Sequence, residues 1–306
     1  MSAELVVLGS VNVDLRSVVD RLPTPGETVS GSSAVDLLGG KGANQAVASH
    51  RLGRTTHFIG SVGDDARGRW ARERLEAEGL DVTDVDTVPG PTGTAVVLVD
   101  GRAENMIVVS GGANMELRPD TLADRVARHS RPENVLLMQL EIPIETVAAA
   151  AADFAGTVIL NPAPAAPIPQ DLWSSIDVIV PNLGELATMT STPPATTVDG
   201  IVAQLRSLPV GRAVVTWGAR GCVVLDEDAA THIAAPMVDA VDTTGAGDAF
   251  CGALADGLAA SMSLVDAASR AATAASMSTL LPGAQTSPTA SALATRIGPP
   301  TEGPHA

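Results

Sequence analysis

From Val135 onward the chain settles into a repeating order that few folds can accept: a short apolar run, a helical stretch, another apolar run. The runs fall at Val135–Leu140, Thr157–Leu160, Asp177–Val180 and Ala213–Thr216. They are apolar on consecutive positions, not alternate ones, so both faces of each strand have to be covered. Strands covered on both faces and separated by helices predict an α/β fold of Rossmann-like type, a mostly parallel sheet between two helical layers. Val6–Gly9 and Thr56–Ser61 read as further buried strands, and Gly39–Gly42 leads into a helix closed by Gly53. Another helix is expected to start with Asp64 as its N-cap and to end near Gly79.

Two earlier stretches break this order. Residues 12–38 contain Pro23, Pro25 and Gly26 followed by alternating β-formers, and Thr94–Asp100 and Asn105–Ser110 flank a turn at Asp100–Gly101, the pattern of a β-hairpin. Together, about 12–38 and 92–111 are expected to form a small separate sheet inserted into a single domain spanning 1–295. The Pro- and Gly-rich residues 296–306 are expected to be a disordered tail.

Polar residues follow the apolar runs: Glu141, Asn161, Asn182 and Thr216, with Asp242 closing a later segment. In doubly wound sheets ligands bind beyond the carboxyl ends of the strands, so these side chains are expected to converge on a site. Ordinary loop polarity would account for any one of them. The strongest segment is Val241-Asp-Thr-Thr-Gly-Ala-Gly-Asp-Ala-Phe250. Gly245, Ala246 and Gly247 form a turn that can present successive backbone N–H groups at the start of a helix, a nest for an anion or a developing negative charge. A carboxylate at the mouth of such a nest would repel a phosphate. It makes chemical sense as a base that takes the proton from a hydroxyl attacking a phosphoryl group, which marks Asp248. The plainer alternative makes Asp248 a helix N-cap.

A second segment, Leu38-Gly-Gly-Lys-Gly-Ala-Asn44, combines Gly40, where backbone can approach a ligand, with Lys41 and Asn44 as donors. Lys41 is the only lysine among 19 basic residues. In a third segment, Asn12-Val-Asp14, the i, i+2 spacing on an extended chain turns both side chains to one face, where an amide and a carboxylate can hold neighbouring hydroxyls. A net charge of −16 argues against nucleic acid or an anionic membrane as partner. No unbroken apolar run is long enough to span a bilayer, and the N-terminus does not read as a signal peptide. Cys222 and Cys251 form no CxxC pair and suit a reducing, cytoplasmic setting. There is no GxxxxGK[ST], HExxH, GxSxG or zinc-spaced Cys/His set, and VVLGSVNVDL after the first strand lacks the GxGxxG of a nicotinamide-dependent dehydrogenase.

The three segments, in this order, resemble the ribokinase-like carbohydrate kinases, the PfkB family, over about Val6 to Ser287. GGKGANQA is similar to the family's first signature and DTTGAGDAF to its second; GSVNVDL, PTPGETV, LLMQLEIP, LNPAPA and GAQTS are similar to the branch that acts on ribose. The resemblance implies a Rossmann-like α/β/α domain whose small β-sheet serves as a lid and often as a homodimer interface. It implies transfer of phosphate from ATP to the 5-hydroxyl of ribose, with Mg²⁺ and K⁺ as cofactors. Asn12, Asp14, Gly40, Lys41, Asn44, Glu141 and Asp248 match sugar-binding positions, Asp248 matches the catalytic base, and Gly245, Ala246 and Gly247 match the anion hole. Asn182, Glu185, Thr216, Gly218, Gly221, Gly247 and Ala272 match nucleotide positions, with Asn182-Leu-Gly-Glu185 resembling the NxxE motif associated with magnesium and phosphate. Asp242, Thr244, Ser278, Leu281, Gly283 and Ser287 match a monovalent-cation site built mostly of carbonyls. Two departures stand out: Ala272 lies where a polar residue often faces adenine, and Leu280-Leu281-Pro282 lies where a basic pair is common. Alternatives are a kinase for 2-deoxyribose, a ketohexose or a nucleoside, and a sugar or nucleotide sensor that kept the fold without the chemistry.

Overall fold

The structure, a computed structural model, describes residues 3–101 and 104–297. The chain begins with β1 (Leu5–Leu8), β2 (Asn12–Val18), β3 (Val35–Gly39), α1 (Lys41–Arg51), β4 (Thr56–Gly63), α2 (Ala66–Ala77), β5 (Val85–Val88), β6 (Gly93–Val99) and β7 (Asn105–Ser110). It continues through α3 (Pro119–His129), β8 (Val135–Met138), α4 (Ile144–Asp153), β9 (Thr157–Leu160), α5 (Gln170–Trp173), β10 (Val178–Ile179), α6 (Leu183–Thr190) and α7 (Val198–Leu205). It closes with β11 (Arg212–Thr216), β12 (Cys222–Asp226), β13 (Ala229–Ile233), α8 (Ala246–Ala259), α9 (Leu264–Ser278) and α10 (Ala290–Ile297).

Nine strands form one sheet in the order β13-β12-β11-β10-β9-β8-β1-β4-β5. Every pairing from β10–β11 through β4–β5 is parallel, and β12 alone runs against the rest, pairing antiparallel with β11 and β13 at one edge. The continuous apolar runs have the expected cause. On β1, Leu5 and Val7 join one core layer while Val6 and Leu8 join the other, and all four are fully buried. The first layer packs α1, α8 and α9 on the sheet; the second packs α3, α4 and α7. Fully burying side chains of this size is worth ~1.5–3 kcal/mol each, so β1 is held firmly between the two layers.

The small sheet has the order β3-β2-β6-β7. Strands β2 and β6 are parallel, and the expected hairpin of β6 and β7 pairs antiparallel with Val99 opposite Asn105. Its face bearing Asn12 and Asp14 also bears Val35, Leu37, Ile107 and Val109, all exposed.

Two expectations are corrected. The N-cap of α2 is Asp65, not Asp64: Asp65 accepts from the Gly68 N–H at 2.7 Å and also from the hydroxyl of Thr92. Asp64 accepts instead from the Gly90 N–H, tying the loop before β6. The tail expected from residue 296 begins too early, because Arg296 and Ile297 complete α10; the rest of that stretch lies outside the described residues. No described helix is long and apolar enough to cross a membrane.

Candidate active site

Small residues bring the two motif-bearing helices together. A Cβ on Gly252 of α8 would sit 2.8 Å from the Ala48 Cβ of α1, so the helix backbones approach as closely as side chains permit. A Cβ on Gly42 would sit 2.5 Å from the Ser10 nitrogen, which presses the start of α1 against the turn after β1. Gly245 begins α8 with φ of +74° and has the Ala284 carbonyl oxygen 2.2 Å from where a Cβ would stand. Glycine is therefore required there on two counts, backbone and space.

Asp248 falls in the first turn of α8 and is 6% exposed. It does not cap its helix. One carboxylate oxygen accepts from Asn44 Nδ2 at 2.9 Å and the other from Gln45 Nε2 at 3.0 Å. The plain N-cap alternative is thereby set aside. The Gln45 amide is itself fixed, donating also to Asn161 Oδ1 at 3.1 Å and accepting from Gln139 Nε2 at 2.6 Å. Asn161 in turn donates to the Val180 carbonyl, and Gln285 donates to Asn44 Oδ1. Every amide around the carboxylate thus has its orientation set by a further bond, which holds the oxygens in place without neutralising them.

A cleft of about 110 Å³ opens beside this group, lined by Lys41, Asn161, Asn182, Glu185, Thr216, Gly245, Gly247 and Asp248 among others. It lies beyond the carboxyl ends of β9, β10 and β11, where the sheet rule places ligands. The Gly247 and Asp248 N–H groups belong to the first turn of α8, which has no intrahelical acceptors to offer. The Ala246 N–H approaches the Thr243 carbonyl at 3.2 Å, so the nest expected at 245–247 rests mainly on its later amides. Lys41 has its ammonium pKa raised, chiefly by the facing Asp248 and, against the opposing effect of burial, also by Glu141. It therefore stays charged beside the nest. Asn182 and Glu185 cap α6 reciprocally: Asn182 Oδ1 accepts from the Glu185 N–H at 2.8 Å, and Glu185 Oε2 from the Asn182 N–H at 2.7 Å. Burial raises the Glu185 carboxyl pKa despite that bond and Lys41.

Toward the small sheet, Glu141 accepts from the Ser10 hydroxyl at 2.5 Å and from the Lys41 backbone N–H at 3.0 Å, locking the 38–44 segment to the end of β8. The Asn12 amide oxygen accepts from Asn114 Nδ2 at 2.8 Å, which leaves the Asn12 amino group free to donate. Asp14 lies against Gly39, where a Cβ would meet its carboxylate at 2.3 Å. Its Oδ1 is buried and has no partner. Burial, with smaller contributions from Glu141 and Asp248, pushes the Asp14 carboxyl up to about 6.

Not every residue marked in the sequence meets the cleft. Ala272 is 4% exposed and packs in the core layer under α9. Gly218 and Gly221 bracket a 3-10 turn after β11, where Gly221 has φ of +91°. Asp242 accepts from the Thr244 and Gly283 N–H groups, both at 2.9 Å; these bonds outweigh burial and lower its carboxyl pKa. Gln45, Gln139 and Ser10 were not marked as site residues, and Asn161 only as a strand end. The first could have been found, since Gln45 follows Asn44 within one helical turn and shares its target.

A buried, donor-fixed carboxylate, a lysine and a helix N-terminus around one cleft are the equipment for deprotonating a hydroxyl while stabilising a phosphoryl group. The chain matches the pfkB family carbohydrate kinase over residues 2–290. It belongs to that family and is a sugar kinase. It is 36% identical to the ribokinase of Haemophilus influenzae across 94% of this chain and 95% of that one. It is also 36% identical to the deoxyribokinase of Salmonella typhi, across 82% of this chain and 84% of the relative. The Arabidopsis thaliana ribokinase complexed with ribose and ATP superposes with a TM-score of 0.86 at 33% identity, covering 96% of this chain and 98% of that one.

Proposed function

We propose that the protein transfers the γ-phosphate of ATP to the 5-hydroxyl of D-ribose, giving ribose 5-phosphate and ADP. The observation that carries this is the Asp248 carboxylate, held by Asn44 and Gln45 at the start of α8 with an oxygen lone pair left on each side for a substrate proton. Asn12, Asp14, Gly40, Lys41, Asn44 and Glu141 are the proposed sugar contacts. The unpartnered Asp14 oxygen and the free Asn12 amino group supply an acceptor and a donor on one face, suited to adjacent hydroxyls. Asp248 accepts the proton of the attacking hydroxyl, and the nest at Gly245, Ala246 and Gly247, chiefly through its later amides, meets with Lys41 the charge developing on the phosphoryl group. Asn182, Glu185, Thr216, Gly218 and Gly221 are proposed to border the nucleotide.

Bound magnesium supplies charge neutralisation at the phosphates. The reciprocal cap of Asn182 and Glu185 leaves Glu185 with one carboxylate oxygen beyond that bond, which fits a magnesium held through water. A potassium ion would be held by Asp242 with Thr244, Ser278, Leu281, Gly283 and Ser287. The Ser287 hydroxyl is buried without a partner, and the Ser278 and Gly283 carbonyls stand close enough together to share the Thr286 hydroxyl, an oxygen-only set that suits a hard cation. The exposed aliphatic strip Val35, Leu37, Ile107 and Val109 on the small sheet supports its use as a lid and homodimer contact. Two buried free thiols and an ATP substrate suit the cytoplasm.

A coupled ADP assay over ribose, 2-deoxyribose, fructose and adenosine, with and without potassium, tests the reading. Ribose is expected to give the highest kcat/KM, with stimulation by potassium. The Salmonella relative keeps 2-deoxyribose as the second reading, and a higher kcat/KM for it than for ribose would replace the first.

A further inference from the structure

At the opposite end of the parallel sheet from the cleft, two histidines and a carboxylate come together from three separate elements. Glu4 directly precedes β1, His57 is the second residue of β4, and His129 ends α3. One nitrogen of each ring and one Glu4 oxygen lie within 4.8 Å of one another. His57 Nε2 is 2.9 Å from Glu4 Oε2, and the two rings stack with centroids 3.9 Å apart. Behind them, His129 Nε2 is 2.8 Å from Asp84 Oδ2, and Arg128 pairs with the other oxygen of Asp84. The side chains of His57 and His129 are 19% and 15% exposed and that of Glu4 41%, so the group is sheltered but reachable from solvent.

We propose that Glu4, His57 and His129 form a binding site for a borderline divalent transition-metal ion, with zinc as its type, separate from the kinase cleft. Two imidazoles and one carboxylate are a ligand set that such ions prefer and that magnesium does not. Zinc bonds of ~2.0–2.1 Å require ligand atoms about 3.4 Å apart in a tetrahedron, so the set has to close by little more than an ångström. Glu4 sits at a strand end and is half-exposed, so side-chain rotation can supply this closure along with a turn of one ring out of the stack. Asp84 stands where an outer carboxylate commonly orients a ligating histidine. Water completes the coordination. The ion would join β1, β4 and α3 at the amino-terminal edge of the sheet, so its effect falls on stability and not on phosphoryl transfer.

The test uses the full chain stripped with EDTA, then titrated with zinc chloride in calorimetry and in thermal unfolding, with no nucleotide or sugar present. One equivalent is expected to bind, and at ~100-fold excess over Kd the midpoint should rise by about 4 °C. Cobalt(II) bound to the wild type should show visible bands of a nitrogen- and oxygen-ligated tetrahedral ion. The variants His57→Gln and His129→Gln should lose both signals, whereas Asp248→Asn should keep them. No saturable binding by the wild type, or the same rise and spectrum in both histidine variants, overturns the site. Should those variants fail to fold, Glu4→Gln serves in their place: at least tenfold weaker cobalt binding supports the site, and unchanged binding removes it.

Discussion

Replacing Asp248 by Asn tests base catalysis against simple binding, and the structure allows both effects to be sized. The carboxylate receives one amide donor on each oxygen, from Asn44 and Gln45. An asparagine keeps one acceptor and turns a second NH₂ toward a donor, so one buried donor loses its partner. That costs about 1–3 kcal/mol. With an unfolding entropy of ~2.1 cal/mol/K per residue, a chain of this length should lose roughly 2–5 °C in midpoint and stay folded at assay temperature. Loss of the base should lower kcat by ~10²–10⁴, about 3–5 kcal/mol of barrier. Sugar affinity measured by calorimetry should fall far less, since Asn12, Asp14 and Glu141 are untouched. Coupled ADP release gives kcat, and calorimetry with scanning fluorimetry gives binding and fold. Turnover within a few-fold of wild type in a folded variant would refute the assignment. So would a loss of sugar affinity as large as the loss of kcat, which would make Asp248 a binding group alone.

Asp14→Asn should stabilise the protein at alkaline pH. The Asp14 carboxyl is raised from 3.8 to about 6 in the folded chain, so the folded state holds its proton more tightly and ionisation costs stability as pH rises through that window. Denaturant melts should show the variant ahead by up to ~2 kcal/mol at pH 8, allowing for screening at a partly exposed group, and level with wild type below pH ~4; a gap independent of pH would contradict this. The same shift predicts that wild-type KM for the sugar rises as pH falls below about 6, read from initial rates across that range. Gly245→Ala should lose activity and stability together, because it meets both a left-handed φ and the Ala284 carbonyl, and an active variant would dismiss the constraint. Gln45→Leu should lower kcat roughly 10- to 100-fold with little change in sugar KM, from the loss of one charge-assisted bond of ~1.5–3 kcal/mol to Asp248.

The layered α/β arrangement was legible because burial on both faces writes itself into consecutive apolar residues, as on β8 and β9. The hairpin of β6 and β7 was legible from its Asp100–Gly101 turn. Asp248 and Lys41 stood out because glycines around them left few other uses for charged groups. The network behind Asp248 was not visible. Gln45, Gln139 and Asn161 are joined by contacts between residues 94 and 116 positions apart, and nothing in local spacing records such a partner. The Asp64 reading failed for a related reason: two neighbouring aspartates are equivalent caps in sequence, and only the Thr92 hydroxyl and amide select Asp65. Ala272 was marked by the family resemblance alone, and an alanine in a helix packed against α8 carries only a methyl group, with no polar atom to offer a ligand.

The bond between Asn44 and Asp248 spans 204 residues of chain. A chain that ends before α8 lacks the carboxylate, and one without α1 lacks both of its side-chain donors, so the base and its surroundings exist only where the two ends of the fold have met.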